Sequence, residues 1–331
     1  MKKNLLFCGL GSIGQRHLRI IQKLYPNRFK IYYYKETKKE FLIDDKLKIN
    51  KKVKSLSKYY KIKRIKYSEL NKKYFDFVFI TNQPSKHIKF AMKFANLKSN
   101  IFIEKPLSTD LNKLNDLLKI QKKNKINIFV GYNFRMHPLV KKVSQLINKK
   151  KLGIIINSTS YFGEYIPLAH EYENYKKSHY TNKVNGGATL GFCHNIDLCL
   201  LFHKKIKKIL FKILENKNLN IKGEEVSSVV MRGKNNELIH LHNNFYNYPK
   251  DYFFLINFSR GTIKLDLSSN ILTISDHSKK IFKNYVIKNF QRNKMFEDEI
   301  KEFISKTSAK NYNSLSLLSA IDTQRLISKI R

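Results

Sequence analysis

No apolar run in this chain approaches the roughly 18–20 residues needed to span a bilayer, although hydrophobic residues fill 42% of its 331 positions. A membrane-inserted protein is therefore not expected. The longest apolar patch near the start, Leu5 to Cys8, runs straight into glycines and is too short for a signal-peptide core, so the expected location is cytoplasmic. Cysteine is scarce. Cys8, Cys193 and Cys199 form neither a CxxC pair nor a disulfide-scaffold spacing. They read as buried small side chains in a reducing compartment. No internal repeat or low-complexity linker interrupts the chain.

Acidic residues are also few, 25 against 65 Lys and Arg, for a net charge of +40. Such an excess raises nucleic-acid binding, because clustered cations release counterions from phosphate backbones. Two features argue against it. The charge is spread over the whole chain, with no basic tail or isolated basic helix. Lys outnumbers Arg by 55 to 10, whereas Arg is the residue suited to bidentate phosphate and base contacts. No specific nucleic acid is expected as a partner, but the diffuse field would draw in an anionic substrate or cofactor.

What is present fits two domains, a first over residues 1–125 and a second over 126–331, with the C-terminal helix packing back on the first. The first ~125 residues alternate strand and helix. Asn4 to Cys8 is a short apolar strand, Gln15 to Leu24 a helix closed by Pro26, and Lys30 to Tyr34 a second strand. Phe75 to Thr81 is apolar and aromatic, as a strand covered on both faces would be. Helices follow at Lys86 to Ala95 and Asp110 to Lys123, and strands at Asn100 to Ile103 and Asn127 to Val130. Thr37 to Lys63 is highly charged and reads as a solvated connection. The pattern predicts an α/β Rossmann domain with a parallel, doubly wound sheet.

The second half is predicted to be an α+β domain with a large, mostly antiparallel open sheet. After a helix near Pro138 to Lys149, period-2 strands are expected at Gly153–Tyr161, Ile206–Leu214, Val226–Met231, Leu238–Tyr246, Tyr252–Ser259, Thr262–Leu267 and Ile271–Ser275. Turn signals between them suggest a meander. A helix interrupts at Ala188–Phe202, and two more, Lys294–Ser305 and Ser314–Ile330, close the chain.

The main chemical signal is Gly9-x-Gly11-x-x-Gly14, placed after a predicted strand and opening a predicted helix. There the glycines allow a tight turn, close approach to a diphosphate and close helix–strand packing. The helix N-terminus adds free N–H groups and the positive end of its dipole. An acid normally ends the second strand to hold a ribose 2′-hydroxyl. Here that position is Lys35 or Glu36. A lysine could pair with a 2′-phosphate, which leans a choice between NAD and NADP towards NADP.

At this point the chain resembles the Gfo/Idh/MocA oxidoreductase family over nearly its whole length. Ile80-Thr81-Asn82-Gln83-Pro84-Ser85-Lys86-His87 is similar to that family's post-strand loop along the cofactor. Phe102-Ile103-Glu104-Lys105-Pro106-Leu107 is similar to its diagnostic Glu-Lys-Pro turn, and His194-x-x-Asp197 to its catalytic helix. The resemblance implies cofactor contacts from Gly9, Gly11, Ser12, Ile13, Gly14, Lys35, Thr81, Asn82, Pro84, His87, Glu104 and Lys105. It also implies that Lys105 orients substrate and nicotinamide, and that His194 exchanges a proton with a substrate hydroxyl. The chemistry agrees: a histidine titrates near working pH, and an ammonium stabilises a developing alkoxide.

Gly131 to Pro138, with Tyr132, Asn133 and Arg135, resembles members that accompany surface-polysaccharide and nonulosonic acid biosynthesis. So do Tyr165-Ile166-Pro167 with Tyr175 to Ser178, and Gln291 to Phe296. These imply substrate contacts from Lys105, Tyr132, Asn133, Arg135, Tyr165, His194 and Asp197, with Arg135 suited to an anionic group. One departure matters. The family usually carries an acid three or four residues before the histidine, where this chain has Leu190 and Gly191. Asp197 could substitute.

His240-x-His242 lacks a third ligand at a sensible spacing, so no metal is expected. The aromatic runs Phe245-Tyr246-Asn247-Tyr248 and Phe253-Phe254 read as sheet packing or an oligomer face, with a homodimer or homotetramer expected. The leading function is NAD(P)-dependent hydride transfer to or from a secondary hydroxyl of a sugar or sugar nucleotide in surface-glycan biosynthesis. Two alternatives stay open: a catalytically degenerate binder of dinucleotide and sugar, and a basic nucleic-acid-binding protein.

Overall fold

A computed structural model of the chain describes residues 2–37, 40–45, 47–50, 52–169, 173–305 and 315–331. They fall into two compact units, Met1–Tyr132 with Phe296–Gln324 and Asn133–Met295 with Arg325–Arg331.

The first unit is built on strands β1 (Lys3–Cys8), β2 (Phe29–Tyr34), β3 (Leu42–Ile43), β4 (Ile49–Asn50), β5 (Lys63–Arg64), β6 (Phe77–Ile80), β7 (Asn100–Ile103) and β8 (Ile128–Val130). Its main helices are α1 (Ser12–Leu24), α2 (Leu56–Tyr60), α3 (His87–Asn96) and α4 (Leu114–Asn124). Six strands form one sheet in the order β5-β2-β1-β6-β7-β8, every pair parallel. From β1 the chain winds outward to β2 and β5, then returns to place β6 on the other side. The gap between the ends of β1 and β6 is thus the switch point, where such sheets bind ligands. β6 is buried at every residue, as parallel strands covered on both faces must be. Phe7, Phe79 and Phe102 stack across β1, β6 and β7 at 5.2 and 5.1 Å. The helix Asn293–Ser305 lays Phe303 edge-on against Phe77, Phe79 and Phe102. Each such ring contributes roughly 1.5–3 kcal/mol by leaving water.

The second unit holds α5 (Pro138–Asn148), β9 (Ile155–Gly163), α6 (Ile166–Ala169), α7 (Ala188–Gly191) and α8 (Cys193–His203). Strands β10 (Ile206–Glu215), β11 (Val226–Gly233), β12 (Leu238–Asn244), β13 (Asp251–Phe258), β14 (Gly261–Asp266), β15 (Ile271–Asp276) and β16 (Ile281–Val286) follow. Helices α9 (Asn293–Ser305) and α10 (Leu317–Ile330) end the described chain. Burial alternates residue by residue along β11 and β13. Val229, Met231, Phe254 and Ile256 thereby enter the core, joined by Ile263 and Leu265 of β14. At the end of α8, His203 bonds Ser158 Oγ at 2.8 Å through Nε2 and Glu237 at 3.2 Å through Nδ1. This clamps the helix to the sheet.

The loop before β11 wraps a buried carboxylate. Glu225 accepts the N–H groups of Lys217, Asn218 and Leu219 at 2.8, 2.9 and 3.1 Å, and the Tyr246 hydroxyl. Burial pushes this carboxyl up, but the donated hydrogen bonds outweigh it and hold it below its ordinary range. Stability from a depressed carboxyl is complete above its unfolded value and is lost as pH falls through the folded one. Thermal melts between about pH 3 and pH 7 are therefore expected to fall less steeply on the acid side in Glu225→Gln than in wild type.

The expected parallel sheet and the large second sheet are both present, and all three cysteines are buried. Several elements differ from expectation. The second sheet is not a simple meander. Its order is β10-β11-β12-β9-β13-β14-β15-β16, with β9 parallel to β12 and antiparallel to β13. Turn residues specify which strands are joined by hairpins, but not where an earlier strand inserts. β16 went unread because it is an edge strand exposed at nearly every residue, without an apolar alternation. Thr37 to Lys63 is more than a solvated link. It contains the β3–β4 hairpin, α2 and the start of the edge strand β5, and it buries Leu42, Ile43, Leu56 and Tyr60; Lys38, Lys39, Lys46 and Lys51 lie outside the described residues. The helix expected from Asp110 begins only at Leu114, because Asp110 turns the chain by accepting the Asn112 N–H at 2.7 Å. The helix expected over Ala188–Phe202 breaks at Phe192 into α7 and α8. α10 begins at Leu317; Ser314 lies outside the described residues.

Candidate active site

In the first unit, Cys8, Tyr34, Ile80, Ile103 and Val130 lie level across the sheet: Cys8 pairs with Tyr34 and Ile80, and Ile103 with Ile80 and Val130. The segments that leave them all emerge at the carboxyl edge. Those segments carry the glycine turn, Lys35, Thr81-Asn82, Glu104-Lys105 and Gly131.

Gly9 has φ +99°, and a Cβ there would sit 2.7–2.9 Å from backbone atoms of Thr81 and Asn82. A Cβ on Gly14 would meet Thr81 Oγ1 at 2.8 Å and the Gly9 carbonyl at 2.9 Å. Thr81 Oγ1 in turn donates to that carbonyl at 2.7 Å. These two glycines therefore lock the β1 turn against the end of β6. Gly11 differs: a Cβ there would meet no atom within 4 Å. Gly11 caps α1 with no side-chain hydrogen bond, and no acid occupies the first turn, where Ser12 and Ile13 are half-buried. This is a helix N-terminus suited to a diphosphate.

The contrast gives a test. Gly9→Ala is expected to destabilise the protein by about 3 kcal/mol, from the left-handed backbone and overlap with fixed backbone. Gly11→Ala should change stability by less than ~0.5 kcal/mol yet weaken dinucleotide binding. Urea denaturation and a nucleotide titration separate the two effects.

Beyond β6, Pro84 opens a 3-10 turn, Pro84–Lys86. His87 follows, buried, with Nδ1 2.8 Å from the Pro106 carbonyl and Nε2 2.9 Å from the Asn82 carbonyl. Both partners are acceptors, and a neutral imidazole has one N–H to give. Burial pulls the ring below its ordinary value, and the two carbonyls pull back. His87 therefore ties the Asn82 loop to the Lys105-Pro106 turn, whose peptide bond is cis. Glu104 is 6% exposed. It receives His17 Nε2 at 2.5 Å on one oxygen and the Lys105 backbone N–H at 3.2 Å on the other. Lys105 itself is half-buried.

At the end of β2, the Lys35 ammonium lies 5.2 Å over the Phe41 ring. Burial lowers its pKa, opposed by Glu40 and reinforced by Arg64. Arg64 bonds Glu40 at 3.0 Å and the carbonyls of Lys35 and Thr37 at 3.1 and 2.9 Å. Glu36 pairs with Lys86. Lys35 and Glu36 thus present opposite charges at the tip of one strand. Tyr132, the last residue of this part of the unit, is buried.

In the second unit, His194 stands in the first turn of α8, 8% exposed, with its ring edge-on to Phe134 at 5.0 Å. Asn133 and Arg135 lie in a 3-10 turn before α5. Arg135 and Asp197 were expected separately, one for a substrate anion and one in place of the missing acid beside His194. They engage each other instead. Arg135 Nε and Nη2 meet the two Asp197 oxygens at 2.7 and 2.5 Å, and both side chains are buried. Pairing offsets part of the desolvation cost that either charge would carry alone, and the couple braces α5's entry turn against α8. Tyr165 is half-buried against the core of this unit. His240 bonds Ser228 Oγ at 3.0 Å, and His242 stacks on Tyr161 at 5.3 Å. These imidazoles serve contacts between strands.

Sequence reasoning missed His17 and Glu299. His17 lies three residues past the last glycine, on the face of α1 that packs on the sheet, and Glu299 is one acid among several in an amphipathic helix. Only their meeting in space distinguishes them.

Residues 3–132 match the sequence profile of the Gfo/Idh/MocA family, described as an oxidoreductase family with an NAD-binding Rossmann fold. Oxidoreductase P35 of Formosa agariphila is 26% identical over 81 residues, 24% of this chain and 25% of that protein. The Bacillus subtilis protein YteT is 23% identical over 203 residues, 59% of this chain and 45% of that protein. The chain thus spans less than half the length of either relative. Among solved structures, levoglucosan dehydrogenase in complex with NADH superposes with a TM-score of 0.82 at 14% identity, covering 100% of this chain and 96% of that one. UDP-N-acetylglucosamine 3-dehydrogenase GnnA of Acidithiobacillus ferrooxidans superposes at 0.76 and 13% identity, covering 100% and 97%. At these identities the likeness is one of fold. Over residues 3–132 the chain is therefore similar to the Gfo/Idh/MocA oxidoreductase family, which is described by an NAD-binding Rossmann fold.

Proposed function

We propose that the protein is an NAD(P)-dependent oxidoreductase that moves hydride to or from a secondary hydroxyl of a sugar or sugar nucleotide, in the building of surface glycans. The observation that carries this reading is the level carboxyl edge of the first sheet, which gathers the α1 N-terminus after β1 and the Lys105 turn after β7 on either side of β6. The dehydrogenase names of its structural neighbours support the substrate class.

The donor set fits a dinucleotide: Gly11 leaves its Cβ direction clear, and the first turn of α1 offers N–H groups without an acid to repel phosphate. Ser12 and Ile13 lie in that turn, and Thr81, Asn82 and Pro84 line the neighbouring strand end. A bound nicotinamide dinucleotide supplies the hydride acceptor. Lys105 holds the substrate oxygen and stabilises the charge that grows there as its proton leaves. His194 takes that proton and returns it in the reverse direction. Lys35 would pair with a 2′-phosphate, which favours NADP. Tyr132, Asn133 and Tyr165 shape the substrate side, and Arg135 and Asp197 brace it. The outer face of the second sheet, with its Phe253–Tyr161–His242 stack, pairs with a second copy of the chain.

Fluorescence titration with NADH and NADPH tests the reading at its base. Saturable binding of either is expected, tighter for NADPH. Absence of binding to both would remove the electron carrier and end the proposal. A panel of sugars and sugar nucleotides, read by absorbance of the reduced cofactor, then tests the substrate class.

A further inference from the structure

Beneath the Lys105 turn lies a polar cluster that neither the glycine turn nor the hydride reaction accounts for. Glu299, on α9, is fully buried, and neither of its carboxylate oxygens meets a hydrogen-bond partner. One polar atom from each of Glu299, His17 and Glu104 lies within 4.8 Å of the others. His17 is also fully enclosed, with Phe102, Phe296 and Phe79 around its ring at 5.2, 5.7 and 5.8 Å. All three side chains are closed off from bulk solvent, which leaves little screening, so two neighbouring carboxylates there cannot both carry charge.

The hydrogen bonds decide which one does. Glu104 receives His17 Nε2 on one oxygen and the Lys105 backbone N–H on the other. Both of those bonds reward a negative Glu104. Glu299 receives none, so it is the carboxyl that retains a proton. Burial first, and the Glu104 charge second, push its carboxyl well above the ordinary range. From the elements packed around the cluster, α1 supplies His17, α3 supplies His87, which feels the Glu104 charge, and β6, β7 and α9 supply the rings of Phe79, Phe102 and Phe303.

We propose that His17, Glu104 and Glu299 form one electrostatically coupled cluster in which Glu299 is a positioning residue: its neutral carboxyl leaves Glu104 charged, and charged Glu104 fixes the backbone that presents Lys105. The proposal rests on the reading of Lys105 as the group that meets substrate.

The test uses the full chain in three forms: wild type, Glu299→Gln and Glu299→Ala. Infrared difference spectra of wild type are expected to show the carbonyl stretch of a protonated carboxylic acid at neutral pH, lost in Glu299→Gln. Glutamine copies the shape of the neutral acid, so Glu299→Gln should keep kcat within about twofold, whereas Glu299→Ala should lose about tenfold to a hundredfold in kcat with little change in KM for the dinucleotide. A wild type without that infrared band would overturn the proposal. So would a glutamine variant as impaired as the alanine one, or a stoichiometric divalent cation in purified wild type that Glu299→Gln lacks. Should Glu299→Ala fail to fold, the band and the glutamine variant still decide. The band is read whether or not any sugar is oxidised. A band without turnover therefore sinks the functional reading alone, and turnover without a band sinks only the cluster.

Discussion

Exchange of Lys105 for alanine is expected to slow hydride transfer by about 10²–10³, the usual loss when one preorganised donor to a developing oxyanion is removed. NADH or NADPH affinity should stay within about threefold, because the diphosphate cradle lies on β1 and α1, and the main-chain hold on residue 105 does not use its side chain. Lys105 is a half-buried residue, so folding should be little changed. Lys105→Arg is not a conservative control: a planar guanidinium has a different reach and donor geometry from a compact ammonium, and it should recover only a small part of the rate. Stopped-flow measurement of cofactor reduction at saturating substrate, beside a binding titration, separates the two quantities. Undiminished transfer in Lys105→Ala would remove this residue from the chemistry.

Arg135→Met should cost the second unit about 3–5 kcal/mol, because it takes the two-point guanidinium contact away from the Asp197 carboxylate in the core. Both partners are almost wholly buried and joined by two hydrogen bonds. The nearby Lys204 is no replacement. It is exposed to solvent, and a water-screened ammonium does little to compensate a carboxylate enclosed in the core. Urea denaturation followed by circular dichroism measures the loss. The double variant Arg135→Met/Asp197→Leu should regain most of it, since an apolar pair of similar volume carries no desolvation penalty. A single variant as stable as wild type would mean that Asp197 finds another partner, and the brace would lose its meaning.

Much of the first unit was legible because its signals are local. A strand ending in Gly9-Leu10-Gly11 and a helix following it need only near neighbours to be recognised. The Glu104-Lys105-Pro106 turn likewise announces itself after a buried strand. The segments so found do emerge at one edge of the sheet. What escaped depends on distance along the chain. Arg135 and Asp197 are separated by 62 residues, and each alone looks like a group meant for a ligand. His17 and Glu104 are 87 residues apart, and Glu299 is further still. The β3–β4 hairpin was hidden by lysines that dominate its composition, although its few apolar residues are the ones that fold inward. β16 offered no apolar face, because an edge strand exposed to water does not need one.

The position of β9 bears on how this protein comes off the ribosome. Its residues are made some eighty positions before β12, against which they must lie parallel, and about ninety before β13. During that interval a nine-residue strand waits with both hydrogen-bonding edges bare, the condition that invites pairing with a stranger. Nascent chains stalled between residues 170 and 230 should therefore recruit holding chaperones, and those released past residue 260 should not.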